Sequence, residues 1–224
     1  MIYQLVIPII VCFLPVLVGL FIFKKFDLKF SSLFKALLLG LLAILPISLL
    51  QYFLPDLSFM NTNSVLYSLI KSIVVIGLIE EAFKALLIYP LPKKSCTALQ
   101  FLMLSFMFGL SLGCFESVVY YLDHLQRAAS KGGVLLYYTI FLRIFSSDII
   151  HMTCAGLCGL FVYSIFKKEK RISYFVYAVI LHGIYDFFAA FQNNLRWFAL
   201  PVIILACLEC RIKYQSLQNE EENT

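Results

Sequence analysis

The sequence predicts an all-α fold: a polytopic transmembrane helical bundle of about seven spans, with six to eight as the range. Three observations predict it. Of the 224 residues, 62% are hydrophobic and 14% are charged, where soluble domains run at roughly 45–50% and about 25%. The mean hydropathy is +0.90. The apolar residues fall into runs of about 20, the length a helix needs to cross a bilayer. These runs are too long and too uniformly apolar for the alternating strands of a membrane barrel. A soluble globular protein and a disordered chain are both excluded. No internal repeat is visible, and residues 1–224 read as a single integral membrane domain.

The spans follow in order. The first run, 4–23, ends at Lys24 and Lys25. It has no basic segment before it and no small-residue cleavage site, so it reads as a retained helix. The second, 34–54, stops at Pro55 and Asp56, and the third, 65–89, at Pro90 and Pro92. The fourth covers 98–122 and the fifth 140–166, with Gly132–Gly133 between them. Residues 134–146 could form a separate re-entrant piece. The sixth covers 173–191. The seventh, 196–210, is short for a span and reads as partly interfacial. Residues 215–224, with Glu220, Glu221 and Glu222, read as a disordered acidic tail.

Charge sets the orientation. Twelve Lys and Arg residues fall in the loops after the odd-numbered spans and in the C-terminal tail, against three in the opposite loops. The positive-inside rule then places the chain in the cell membrane with its N-terminus outside and its C-terminus cytoplasmic. The net charge of +5 lies in these loops rather than on a soluble basic patch, so no nucleic acid partner is expected. The seven cysteines are mostly in apolar runs, where Cys packs as a small hydrophobe. Cys207 and Cys210 form a C-x-x-C on one helix, which reads as helix packing, with metal or redox chemistry as the alternative.

Away from the extreme ends of the spans stand Lys71, Glu80, Glu81, Lys84, Glu116, Arg143, Asp148, His151, His182 and Asp186. One such charge at a helix centre costs roughly 2.5–3.5 kcal/mol, so the group should face inward and pair. Lys71 is the exception, because a lysine near a helix end can snorkel. Glu80 and Lys84 share a helix face in the favourable i,i+4 order. Glu81 beside them adds a second carboxylate, which suits either general acid–base work or a packing salt bridge with a protonated spare. Gly109 and Gly113 give the fourth span a small-residue contact face, and Glu116 follows it. His151 reads as a core histidine or a ligand. His182 and Asp186, four apart, can share a metal, or the Asp can orient the ring. His124 reads as solvated. Counted at about 1.5 Å per residue from the cytoplasmic helix ends, Glu80, Glu81 and His182 lie near ~13 Å, His151 and Asp186 near ~20 Å and Glu116 near ~27 Å. The spread strains a single cluster.

Glu80-Glu81-Ala82-Phe83-Lys84, then Glu116, then His151, then His182-Gly183-Ile184-Tyr185-Asp186 resemble, in order and spacing, the motifs of the PrsW family of intramembrane proteases. That family is itself distantly similar to the CPBP group that includes CAAX-processing endopeptidases. Arg143 also resembles a family position. The resemblance covers about 75–190. Ser117 stands where the family usually has Asn, and Leu112 where it has Phe.

The resemblance implies hydrolysis of peptide bonds in membrane-anchored proteins. Its expected substrate is a single-pass membrane protein, with first-site cleavage of an anti-sigma factor as the family example. It implies Glu80, Glu81, His151 and His182 as catalytic residues, supported by Lys84, Glu116, Arg143 and Asp186. In a zinc mechanism the ligands come from His151, His182 and Glu116 or Asp186, and Glu80 or Glu81 takes the water's proton. In a metal-free mechanism a glutamate and a histidine activate water directly, while His182 and Asp186 stabilise the oxyanion. Two other classes compete: a non-catalytic membrane scaffold, and a proton-coupled transporter built on the same buried charges. The intact E-E-x-x-K argues for the enzyme, and the missing repeat argues against the transporter.

Overall fold

A computed structural model describes residues 2–53, 64–128, 133–191 and 193–222, without the side chains of 2–5, 124–128, 133–140 and 220–222. Pro55, Asp56, Lys131, Gly132 and the side chains of His124 and Arg127 lie outside the described residues. The described residues form helices and turns, with no strand among them. The helices are α1 (Ile2–Phe23), α2 (Phe30–Phe53), α3 (Val65–Ile70), α4 (Leu78–Ile88), α5 (Ala98–Ala128), α6 (Gly133–Phe166), α7 (Ile172–Ala189) and α8 (Ala199–Glu222). A π-helical stretch, Lys71–Gly77, joins α3 to α4, so that 65–88 is one interrupted rod. Seven rods thus stand where the sequence predicts seven spans.

Among the described residues, five rods are long and apolar enough to cross a membrane: residues 6–26, 30–53, 98–123, 141–166 and 172–189. The rod 65–88 carries Lys71, Glu80, Glu81 and Lys84, and the second half of α8 is polar. α6 runs unbroken through 134–146, so no separate re-entrant piece exists there. α8 continues to Glu222, where a disordered tail from 215 is expected. The reason is tertiary: Leu217 is buried, and Arg171 Nη1 donates to Ser216 Oγ at 2.8 Å.

α5 and α6 are the centre of the bundle. Within the most apolar 18-residue stretch of each, 78% and 72% of the residues are buried, against 28% and 33% for α1 and α2. The outer helices present Leu14, Leu17, Phe21, Leu45 and Leu49 outward, as a lipid-facing surface does.

Two close approaches bring the site together. A Cβ on Gly109 would meet the backbone of His151 and Met152, and one on Gly113 would lie 3.0 Å from Asp148 Cα. Backbone-to-backbone packing of this kind needs small residues. On the other side, Gly77 lies against Val179 and Gly183, and Gly183 against Ser72 and Ile73. The π stretch makes the second approach possible. Buried positions in the rod run Tyr67, Ser72, Gly77, five apart, and then Glu80, Glu81, Lys84, Ile88 at helical spacing. The wider π turn keeps one face inward across the change of period.

A Gly183→Ala variant is expected to lose about 1–3 kcal/mol of stability, because its Cβ would lie 2.5 Å from Ile73 Cα and 2.8 Å from Ser72 O. Gly19→Ala meets only the ends of flexible side chains, Leu110 first among them, and should be near neutral. Unfolding of both variants in detergent micelles checks the contrast.

Candidate active site

The rod 65–88 supplies Glu80, Glu81 and Lys84; α5 supplies Glu116; α6 supplies Arg143 and His151; α7 supplies His182 and Asp186. The structure brings all eight together.

At the deepest point Lys84 and Glu81, both fully buried, form an ion pair of 2.5 Å. The sequence suggests Glu80 as the partner of Lys84; the structure pairs it with Glu81. The reason lies on the facing helices. His182 Nδ1 stands 2.6 Å from Glu81 Oε1, and Cys158 Sγ stands 3.2 Å from Glu81 Oε2. Every Glu81 oxygen is therefore engaged inward.

Hydrogen-bond logic assigns the ring protons. His182 Nδ1 faces a carboxylate oxygen and donates to it. Lys84 Nζ, 3.4 Å from the same nitrogen, therefore gains no acceptor there. His151 Nε2 donates to Glu116 Oε2. His151 Nδ1 is left as an acceptor, and Lys84 Nζ lies 3.1 Å from it. Glu116 is held on its other oxygen by Arg143 at 2.6 Å. Arg143 also reaches Ser147 at 3.2 Å and lies over the Tyr120 ring.

Each histidine thus donates outward to a carboxylate and turns its other nitrogen inward. The inward atoms converge on Glu80. Glu80 Oε2 is 3.9 Å from His151 Nδ1 and 3.6 Å from His182 Nε2. The two rings meet edge to face, 4.8 Å between centroids. Asp186 Oδ2 lies 3.7 Å from His182 Nε2, and both of these atoms are buried with no hydrogen-bond partner. This geometry explains the depth spread read from the sequence. The groups form an elongated chain from Glu81 through Lys84 and His151 to Glu116 and Arg143, and one imidazole bridges its two halves.

Glu80, His151 and His182 can each offer an atom within 4.8 Å of the others. Ligands of one tetrahedral zinc stand roughly 3.3 Å apart, given bonds of about 2.0–2.2 Å; Glu80 Oε2 is within a few tenths of an ångström of that spacing from both histidines, and the widest separation in the set would have to close by about 1.5 Å. The outward carboxylates on both rings are the outer partners that metal-binding histidines usually have. The orphaned His182 Nε2 and Asp186 Oδ2 point the same way. The donor set fits zinc. It differs from the expected one: Glu80 joins the histidines, and Glu116 sits on the far nitrogen of His151. Lys84 Nζ competes with any such ion for the single lone pair of His151 Nδ1.

Three features escape sequence reasoning. Gln51 Nε2 donates to Glu80 Oε1 at 3.2 Å. Cys158 caps Glu81. Asp148, buried on α6, does not face the cluster. Ser117 Oγ and Cys114 Sγ on α5 donate to it at 3.1 and 3.4 Å, so it clamps the two central helices. The available signal for Gln51 is an amide in an otherwise lipid-facing turn.

Comparison with known proteins identifies the family. A family profile described as PrsW family intramembrane metalloprotease matches residues 29–208. The chain is 27% identical over 221 residues to Protease PrsW of Clostridioides difficile (strain 630), covering 92% of this chain and 87% of that relative. No solved structure matches.

Removing one partner of a buried ion pair leaves a charge uncompensated, at about 3–5 kcal/mol. Lys84→Met is expected to cost about 3 kcal/mol, and the double variant Glu81→Gln with Lys84→Met less than the sum of its singles. Denaturant unfolding of the four proteins in micelles gives the coupling.

Proposed function

Because the chain belongs to the PrsW family of intramembrane metalloproteases, we propose that it hydrolyses peptide bonds at the cluster of Glu80, His151 and His182. The observation that carries this reading is the pair of histidines, each oriented by an outer carboxylate, with their free nitrogens turned toward Glu80.

Glu80, His151 and His182 would hold a zinc ion. Bound there, zinc would supply Lewis acidity, lowering the pKa of a water and polarising the scissile carbonyl. Glu81 and Glu116 keep the rings in the tautomer that turns a lone pair inward. Lys84 balances the charge of Glu81 where water cannot. Arg143 holds Glu116 in place. Asp186 Oδ2, buried and without a hydrogen-bond partner, would accept the proton of the attacking water. It returns that proton to the leaving nitrogen as the carbon–nitrogen bond breaks.

The substrate we assign is a single-pass, membrane-anchored protein such as an anti-sigma factor; the family resemblance supports that class. The distribution of Lys and Arg supports placement in the cell membrane with a cytoplasmic C-terminus. A second reading is favoured by one contact. Lys84 donates to His151 Nδ1, the nitrogen an ion would need. In a metal-free enzyme Glu80 itself would take the proton of the water.

The test is cleavage of a single-pass substrate by purified protein in liposomes. Glu80→Gln and His182→Ala should abolish cleavage, and Asp186→Asn should slow it roughly 10²–10⁴-fold, while Lys71→Ala cleaves at the wild-type rate. A chelator should stop the reaction and zinc should restore it. Loss in the variants without chelator sensitivity would select the metal-free reading. No cleavage by folded wild-type protein across several substrates would select the scaffold.

A further inference from the structure

Gln51 sits near the end of α2, outside the span of motifs that carries the family resemblance. Its surroundings make an amide there unexpected. Leu45, Leu49, Tyr52 and Phe53 are exposed to the lipid side, and Leu50 is 41% exposed. Ile47, one turn earlier, is buried at 4%. Gln51 stands four residues after Ile47, so the two share the inward face of the helix. Pro46 lies inside α2 and removes one backbone hydrogen bond from this last stretch. The terminal turns of α2 are therefore tied to the bundle chiefly by one apolar side chain and one amide. Burying an amide is unfavourable unless it finds a partner.

The partner is specific. Gln51 Nε2 donates to Glu80 Oε1 at 3.2 Å, while Glu80 Oε2 is the oxygen nearest His151 Nδ1 and His182 Nε2. The two carboxylate oxygens are thus divided: one bound to α2, the other presented to the histidines. A carboxylate without that anchor can rotate about its last bond, a soft, broad torsion, and present neither oxygen reliably.

We propose that Gln51 is a positioning residue that sets the rotation of the Glu80 carboxylate and so completes the metal-binding set. The inference rests on the zinc reading of the cluster. It gives α2 a part in the site: through Gln51, a lipid-facing outer helix holds one of the three donors in register.

The experiment measures zinc affinity of the purified full-length protein in detergent micelles, by competition with a chromophoric chelator. Gln51→Met keeps the length and removes the donor. Gln51→Glu keeps the shape and sets a carboxylate against Glu80. Both should weaken zinc binding about 10–100-fold, the usual effect of losing an outer partner of a ligand. Leu50→Met, on the lipid side of the same turn, should bind zinc as wild type does. Thermal unfolding of the metal-free proteins separates positioning from packing, and Gln51→Met should melt close to wild type. Zinc affinity unchanged in Gln51→Met, while Glu80→Gln loses zinc, would overturn the inference and leave the zinc reading intact. The inference falls equally if Gln51→Met lowers the melting temperature without changing affinity. A wild-type protein that takes up no zinc, or whose affinity ignores Glu80→Gln, would overturn both.

Discussion

Everything in this bundle depends on the buried contact between Lys84 and Glu81. An ammonium and a carboxylate with no exposed surface cannot be hydrated, and in a low-dielectric interior their attraction is the main compensation available. The pair then dictates its surroundings. Glu81 has oxygens left to satisfy, so His182 and Cys158 face it from α7 and α6. Lys84 has further protons to donate, so His151 faces it as well. A single ion pair thereby engages three helices, and the remaining polar side chains take the positions that these contacts leave.

The backbone makes that convergence possible. Side chains of moderate length meet only if the helix axes are unusually close, which is why glycine stands at each approach. Gly109 and Gly113 let α5 sit on α6 near His151, and Gly77 and Gly183 interlock the third rod with α7 beside His182. In a membrane such packing substitutes for a hydrophobic driving force between helices. The π stretch before α4 belongs to the same solution. It shifts the inward face by the amount needed for Ser72, Gly77 and Glu81 all to point into the bundle. The central clamp of Asp148 with Ser117 and Cys114 holds α5 and α6 at the level where Glu116 meets His151.

The arrangement is not uniformly satisfied, and this supports the catalytic reading we propose over a packing role. A purely structural network would satisfy its members, since an unpartnered buried polar atom costs free energy. Here the deep half is saturated, while His182 Nε2 and Asp186 Oδ2 are left without partners beside Glu80. In the reaction we propose, the saturated contacts orient the two rings, and the atoms left without partners are the ones the chemistry would use.

Much of this was legible in the residues themselves. Apolar runs of spanning length set the helices, because lipid admits no other open backbone. The cost of charge in lipid told which side chains must face inward, and Glu80, Glu81, Lys84, Glu116, Arg143, His151, His182 and Asp186 do meet. The motif order told the family. Partner choice was not legible. Helical spacing offers Glu80 and Glu81 to Lys84 almost equally, and only the facing His182 and Cys158 decide for Glu81. Depth counting separated Glu116 from the rest, because it cannot show one imidazole spanning the gap. Gln51 lies in an apolar run, far along the chain from its partner, and no local pattern connects them. The sequence alone determined which groups had to be hidden together, since that follows from the transfer energy of each residue. Which atom faces which was decided only in the tertiary structure, since it depends on the close approach of helices whose contacts are distant along the chain.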